Sequence, residues 1–375
     1  MTHEVVGETV PSEPKITAGS GAGAMEASQV RVHYLATRNR DEEAVWDSFI
    51  RRSPNGTVFH LSAWRRAVEE VFRHIPHYLV ASVGNEIRAV LPLFEIHGVL
   101  SGRILVSVPY AVYGGLCGTD PVARKALLEE GERLAVRQRI RYVELRHLSD
   151  PEPGLLTKSL YVTFVKPLAA EPEANMEAIP RKQRRMVRVG LKNGLEARRG
   201  WEHLGHFFDI FVANKRRLGS PSFPLQLFEA VRTHFGNEAE LLTVWHDGKM
   251  VAGVISFFYG DRVMPYYGAA LDEAFRLAVN DFMYWEVMRE SCVGGYRVFD
   301  FGRSREGTGA YDFKHHWGFE PQPLAYQYLL MNGNVMPNLN PSNPRLRLFI
   351  DTWKRLPLPI TKWVGPALTR WLPLD

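Results

Sequence analysis

The sequence is poor in cysteine: its 375 residues hold only Cys117 and Cys292. The two match no CxxC pair and no metal-ligand spacing, so a disulfide framework and a zinc site are both excluded and the thiols read as buried hydrophobes. His74 and His77 have no carboxylate or cysteine partner at useful spacing, and adjacent His315 and His316 would diverge by about 100° on a helix, so no metal is expected. No run approaches the roughly 18 apolar residues of a spanning helix. The first 29 residues lack the apolar core of a secretory signal, which makes a cytoplasmic address the expectation. There is no Gly-x-Ser-x-Gly elbow, and neither cysteine has a recognisable histidine partner, so any group transfer is expected to be direct, without a covalent enzyme intermediate.

What is present is material for ordinary cores. The apolar share is 45%, with 20 Phe, 14 Tyr and 9 Trp. Length alone suggests two domains plus appendages. The net charge of +5 permits an anionic partner without choosing one. Residues 1–29, with Pro11, Pro14 and the run from Gly19 to Gly23, read as a disordered tail. The glycines have no strand before them and no helix after them, so they are not a phosphate loop.

From residue 30 the pattern predicts a strand over 30–35, helices near 41–51 and 61–73, strands over 78–83, 87–96 and 104–108, a helix over about 122–138 and a strand over 142–148. The second half repeats this order. A basic helix over 176–193 leads into helices near 202–217 and 225–235, then a meander over 241–246, 250–259 and 263–267 with Asp247-Gly248 as its hairpin turn. A helix over 275–291, a strand over 297–301 and a closing strand over 324–331 follow. Arg141-Tyr142-Val143-Glu144-Leu145 matches Arg297-Val298-Phe299-Asp300-Phe301, each placing one acid inside an apolar strand, which favours an internal duplication.

Chemistry concentrates in two places. Phe299 to Ser304 runs into Gly307-Thr308-Gly309-Ala310-Tyr311-Asp312-Phe313-Lys314-His315-His316-Trp317-Gly318. This is a strand ending in a charged, glycine-rich loop that can hold side chains over a substrate. Helical spacing then makes Tyr311, Lys314 and His315 neighbours; Phe313 and Trp317 read as core. The second place is the stripe Arg181, Arg184, Arg185, Arg188 and Lys192, with Lys182 beside it, suited either to phosphates or to a solvated helix face.

The run from Asp300 to Gly318, with Leu324-Ala325-Tyr326-Gln327-Tyr328 behind it, resembles the closing signature of the FemAB-like proteins, especially those associated with exosortase/PEP-CTERM exopolysaccharide systems. Leu91-Pro92-Leu93, Ser107 to Tyr110 and Tyr113-Gly114-Gly115 resemble the first-unit strands of that family, and Arg181 to Leu195 its basic linker helix. The resemblance implies an α/β (α+β) fold of two tandem GNAT-like domains with mixed, mainly antiparallel sheets. The boundaries expected are 30–168 and 169–332, with a basic, aromatic tail over 333–375.

It also implies transfer of an acyl or aminoacyl group to an amine of a cell-envelope or exopolysaccharide precursor. No cofactor would be tightly bound, and the co-substrate would be aminoacyl-tRNA or acyl-CoA. Ordinary GNAT enzymes cradle the CoA pyrophosphate in a glycine-bearing turn at a helix start. The corresponding segment here, Asp272 to Asn280, has no glycine, although Arg276 and Asn280 could serve another donor group.

In the expected site Lys314 opposes the oxyanion, Tyr267 or Tyr284 relays a proton, and Asp300 orients Arg303 or holds the loop. Substrate contacts are expected from Arg303, Ser304, Tyr311, Arg276, Asn280, Arg181, Arg185 and Arg188. The acceptor would be a small molecule or a lipid-linked glycan or peptide, with tRNA as a further partner. An acyl-CoA-dependent acetyltransferase and a catalytically inactive binding subunit remain open. Residues 345–375 interleave Trp353, Trp363 and Trp371 with basic residues, a composition suited to the periphery of the inner membrane or to packing on the body.

Overall fold

The structure is a computed structural model that describes Met1 and residues 29–36, 39–98, 101–148, 151–331 and 344–371. The expected disordered tail lies almost wholly outside the described residues. The first half runs β1 (Arg31–Tyr34), α1 (Arg40–Arg52), α2 (Ser62–Phe72), β2 (Ile75–Pro76), β3 (Leu79–Val83), β4 (Glu86–Leu91), β5 (Phe94–Gly98) and β6 (Gly102–Val106). It continues with α3 (Pro121–Arg137), β7 (Tyr142–His147), β8 (Leu156–Lys158) and β9 (Tyr161–Pro167). The second half runs α4 (Pro172–Ala178), α5 (Arg181–Lys192), β10 (Glu196–Arg199), α6 (Leu204–Leu218), α7 (Leu225–Phe235), β11 (Ala239–His246), β12 (Lys249–Tyr259) and β13 (Arg262–Ala270). It closes with α8 (Val279–Val293), β14 (Val298–Arg305), α9 (Gly309–His316), β15 (Pro321–Pro323), β16 (Ala325–Leu330), α10 (Pro344–Arg355) and α11 (Leu358–Trp371).

Local chemistry accounts for many of these boundaries. The Asp120 carboxylate accepts from the amides of Val122 and Ala123 while Pro121 opens α3, a standard start for a helix. Pro180 separates α4 from α5, so the single helix expected over 176–193 is two. The expected Asp247-Gly248 turn is a two-residue hairpin with both residues at positive φ, 49° and 74°, the backbone that a type I′ turn requires. Pro92 interrupts the strand expected over 87–96. Its halves part company, β4 pairing with β3 and β5 with β6, because proline supplies no ladder N–H.

The sheets do not follow the expected division at residue 168. One has the order β10-β11-β12-β13-β14-β9-β15, and another β2-β5-β6-β7-β16-β8, with β1-β3-β4 beside it. The last long strand of each half has therefore changed places. β9 from the first half lies against β14, and β16, expected to close the second sheet, lies against β7. Between the sheets sits one shared aromatic core that includes Phe59, Trp64, Phe207, Phe228 and Phe257. Outside it, α3 covers the first unit and α8 the second, each over its own apolar layer. Residues 344–371 are not an extended tail: α10 and α11 pack on α6.

Candidate active site

Each unit has one parallel strand pair held at only two registers. In the first, Leu105 pairs with Val143 and Val106 with Glu144; in the second, Arg262 pairs with Val298 and Val263 with Phe299. Beyond those residues the strands diverge. The second pair carries Tyr267, Asp300, Arg303 and Ser304 of the residues predicted from the sequence, distributed over the two faces of its sheet.

On the face covered by α8 and α9, Lys314 is central. Its ammonium donates to the carbonyls of Gly302 and Arg303, each at 3.0 Å. Both belong to a bulge of β14, where the register shifts between Asp300 and Arg303 and Gly302 adopts φ 64°, a conformation natural to glycine. Burial drives the Lys314 ammonium down to about 7, with Asp300 opposing the shift and Arg303 assisting it. The lysine is thus anchored and close to its titration point at neutral pH, unlike the freely reaching side chain expected. Among the described residues two of its three N–H donors meet oxygen acceptors, and the ammonium lies 5.8 Å from the Phe164 ring centroid.

Tyr284 shares this face. Its hydroxyl lies so near Gly268 that a Cβ there would come within 2.7 Å of it, and its ring packs on Phe301 and Phe313. Burial pushes the phenol up to about 12, so it stays a proton donor at neutral pH. The Ser304 hydroxyl is buried with no hydrogen-bond partner among the described residues. Tyr311 packs its ring edge-on against Phe164.

The opposite face holds Tyr267, Asp300 and Arg303. Tyr267 belongs to the shared aromatic core, against Phe211, Phe223 and Phe228. Asp300 is fully buried and does not orient Arg303. Its partners are Arg262 at 2.8 Å, the Tyr113 hydroxyl, Thr163 at 3.4 Å and the Gly302 amide at 2.8 Å. The pairing follows from register: Arg262 heads the neighbouring parallel strand on the same face, whereas the bulge carries Arg303 beyond reach. Arg303 stacks over Tyr161, 4.2 Å from the ring centroid, and donates to the Tyr326 hydroxyl at 3.2 Å, fastening β14 to both exchanged strands.

Two participants went unnoticed in the sequence. Arg262 sits in a meander with nothing to mark it as the partner of Asp300. Asp281, in the first turn of α8, accepts from the Trp317 indole at 3.1 Å, and burial raises its carboxyl to about 6; an acid early in a helix was the available signal.

Around this face, α5 runs from Pro180, beside Gly318 at the end of α9, to Asn193, whose amide donates to the Leu277 carbonyl at 3.3 Å just before α8. Val187 and Gly190 are buried on its inner side. Arg181, Lys182, Arg185, Arg188 and Lys192 are exposed on the outer side and form no ion pair among the described residues; Arg184 is half-buried and reaches the Glu177 carbonyl. Arg276 is exposed on the short 3-10 turn preceding α8, and Asn280 lies in the first turn of α8. A cavity of about 400 Å³ exists elsewhere, between α1, the β3–β4 turn and the start of α3, and none of the predicted site residues line it.

The family model for the acetyltransferase (GNAT) domain matches residues 175–315. The match falls within the second unit. The matched span runs from α4 to α9 and so contains the splayed pair, Tyr284 and Lys314. Over 81% of its length the chain shares its fold with FemX, at 15% identity and TM-score 0.64, covering 98% of that chain. A tandem GNAT protein from the clavulanic acid biosynthesis pathway matches at 12% identity and TM-score 0.51, over 82% of this chain and 100% of the other. The C-terminal domain of a putative lysylphosphatidylglycerol synthetase from Agrobacterium fabrum matches at 14% and 0.53, over 78% and 93%. No curated protein matches the sequence significantly. The expected fold of two GNAT-like units with mixed sheets is the fold observed.

Proposed function

We propose that this chain is a FemAB-like transferase, of the subgroup associated with exosortase/PEP-CTERM systems. It moves an aminoacyl group from aminoacyl-tRNA to an amine of a cell-envelope or exopolysaccharide precursor. The observation that carries the reading is Lys314, beside the splayed pair and held on two carbonyls of the bulge, on the face covered by α8, against which α5 packs with its basic side turned outward. The acceptor nitrogen attacks the ester carbonyl, the C–N bond forms, the C–O bond breaks, and the amine proton passes to the departing ribose oxygen. Lys314, charged, stabilises the developing oxyanion; near its titration point it can also relay the proton. Tyr284 supplies a phenol that stays protonated. Asp300, Arg262 and Arg303 hold the strands that carry this face.

The start of α8 favours a tRNA donor over CoA. It has no glycine turn, its cap is Ala278 in the left-handed region, and the Asp281 carboxylate sits in the first turn, where it opposes a pyrophosphate. The exposed cations of α5 suit the backbone of an RNA acceptor stem instead. The putative lysylphosphatidylglycerol synthetase, whose named product carries an aminoacyl group, shares the fold. The match to an acetyltransferase family model favours a second reading, transfer from acyl-CoA.

Thermal shift with CoA, charged tRNA and uncharged tRNA, followed by transfer from labelled donors to amine acceptors, separates these. Stabilisation by charged tRNA with transfer of label supports the proposal. Stabilisation by CoA with transfer from acyl-CoA supports the second reading, and binding without turnover to any acceptor points to a binding subunit.

A further inference from the structure

The carboxyl-terminal helices leave a surface that the transfer reaction does not use. Their inner side is firmly docked. Thr361 and Thr369 are buried, Gly365 packs closely on Ser222, the Thr369 carbonyl accepts from the Tyr110 hydroxyl at 3.2 Å, and Lys362 pairs with Asp209 at 2.5 Å. The outer side carries apolar groups exposed among the described residues: Trp363 is 83% exposed, Leu348 of α10 69%, and Ile360 44%. Lys354, Arg355 and Lys362 are exposed around them.

Arg370 follows Trp363 by seven residues, which on a helix returns to nearly the same face. It lines a small cavity of about 170 Å³ with Arg73, His74, Ile75, Glu95 and His97. Glu95, the one acid there, is engaged by Arg103 at 2.7 Å and His97 at 2.6 Å. His74 is held neutral by burial, reinforced by Arg370 and His97, down to about 4. Ile75 beside it is another exposed apolar residue. An apolar helix face thus continues into a cation-lined recess large enough for a phosphate.

We propose that α10 and α11 form a monotopic docking face for an acidic phospholipid bilayer, with Trp363 and Ile360 entering the headgroup boundary and the Arg73–Arg370 recess taking a lipid phosphate. Among the described residues no helix is long and apolar enough to cross a membrane, and Pro357 falls in the break between α10 and α11, so the contact lies on the surface. Exposed aromatic and aliphatic groups supply insertion, and the cations supply preference for anionic lipid. This placement does not depend on which acyl donor is used.

Co-sedimentation of the full chain with phosphatidylcholine vesicles, with and without phosphatidylglycerol, tests it. Binding is expected only where phosphatidylglycerol is present. Trp363→Ser with Ile360→Ser should reduce it at least tenfold at both low and high salt. Arg73→Gln with Arg370→Gln should weaken it by roughly fivefold per arginine at low salt, and added inorganic phosphate should compete in the wild type. Because Arg370 lies near the packed end of α11, melting is checked for each variant, and Trp363→Ser alone serves if the arginine pair fails to fold. Equal binding to both vesicle types, unchanged binding of folded Trp363→Ser, or no vesicle binding together with a dimer that Trp363→Ser abolishes would each overturn the proposal.

Discussion

The two splayed strand pairs occupy equivalent positions, yet they are finished differently. In the first, the chain itself closes the gap: the Ser107 amide bonds to the Glu144 carbonyl at 2.9 Å, the Ser107 hydroxyl accepts from the Arg146 amide at 3.0 Å, and the Gly114 amide reaches the Arg146 carbonyl at 2.8 Å. The Arg146 guanidinium holds the Ala111 carbonyl at 2.7 Å and the Glu144 carboxylate at 2.8 Å, and Cys117 bridges to Val90 in both directions. In the second, side chains do this work. Lys314 meets two carbonyls of the bulge and Asp300 meets the Gly302 amide. A gap filled by main chain is a structural seam, whereas a gap lined by titratable side chains can exchange its partners for a substrate. The chain thus holds two similar scaffolds, one closed by main chain and one left lined by side chains.

The sharpest way to break this contrast is to disturb equivalent anchors in turn. Arg146→Ala leaves Glu144 buried without its partner, which costs about 3–5 kcal/mol. Chemical denaturation should register that loss, while turnover per folded molecule stays near wild type. Lys314→Ala should remove a hundred- to thousand-fold of turnover, about 2.7–4 kcal/mol of barrier. It should also lower the melting temperature, because the Gly302 and Arg303 carbonyls lose their donor, at about 1–3 kcal/mol for a buried group left unmet. Lys314→Arg should retain a small part, since charge survives and geometry does not. Wild-type turnover in folded Lys314→Ala would end the assignment.

The pH response offers a finer test. The Lys314 ammonium is depressed to about 7 from an ordinary 10.5, so over that window the unfolded chain binds the extra proton and stability rises with pH. His147, at the end of β7, is depressed by burial to about 3 from 6.5, and by the same sign stability rises across that lower window. Denaturation midpoints measured against pH should lose the alkaline slope in Lys314→Met and the acidic slope in His147→Gln; a shared loss would mean the halves are not separately tuned. The smallest effect on the fold is expected from Arg185→Gln with Arg188→Gln. Both side chains are exposed, so stability should hardly change, while binding of the proposed tRNA donor should weaken and its salt slope flatten.

Local periodicity and turn chemistry were enough to find most of the helices and strands, as α3, the β11–β12 hairpin and α7 illustrate, because those depend on residues close in the chain. Family-like residues around Lys314 pointed to the segment in which the site is proposed, and the match of Arg141–Leu145 with Arg297–Phe301 suggested two similar units. Tertiary structure alone decided the rest. The exchange of β9 and β16 is invisible in either strand, since a strand's side-chain pattern says which face is apolar and not which neighbour it joins. Arg262 became the partner of Asp300, and Arg303 did not, because a parallel register and one bulge set who is within reach. Lys314 reads from composition as an exposed charge; its burial, its two carbonyl partners and its lowered proton affinity come from helix and bulge meeting in space, through contacts to residues eleven and twelve positions earlier that no helical or strand period connects.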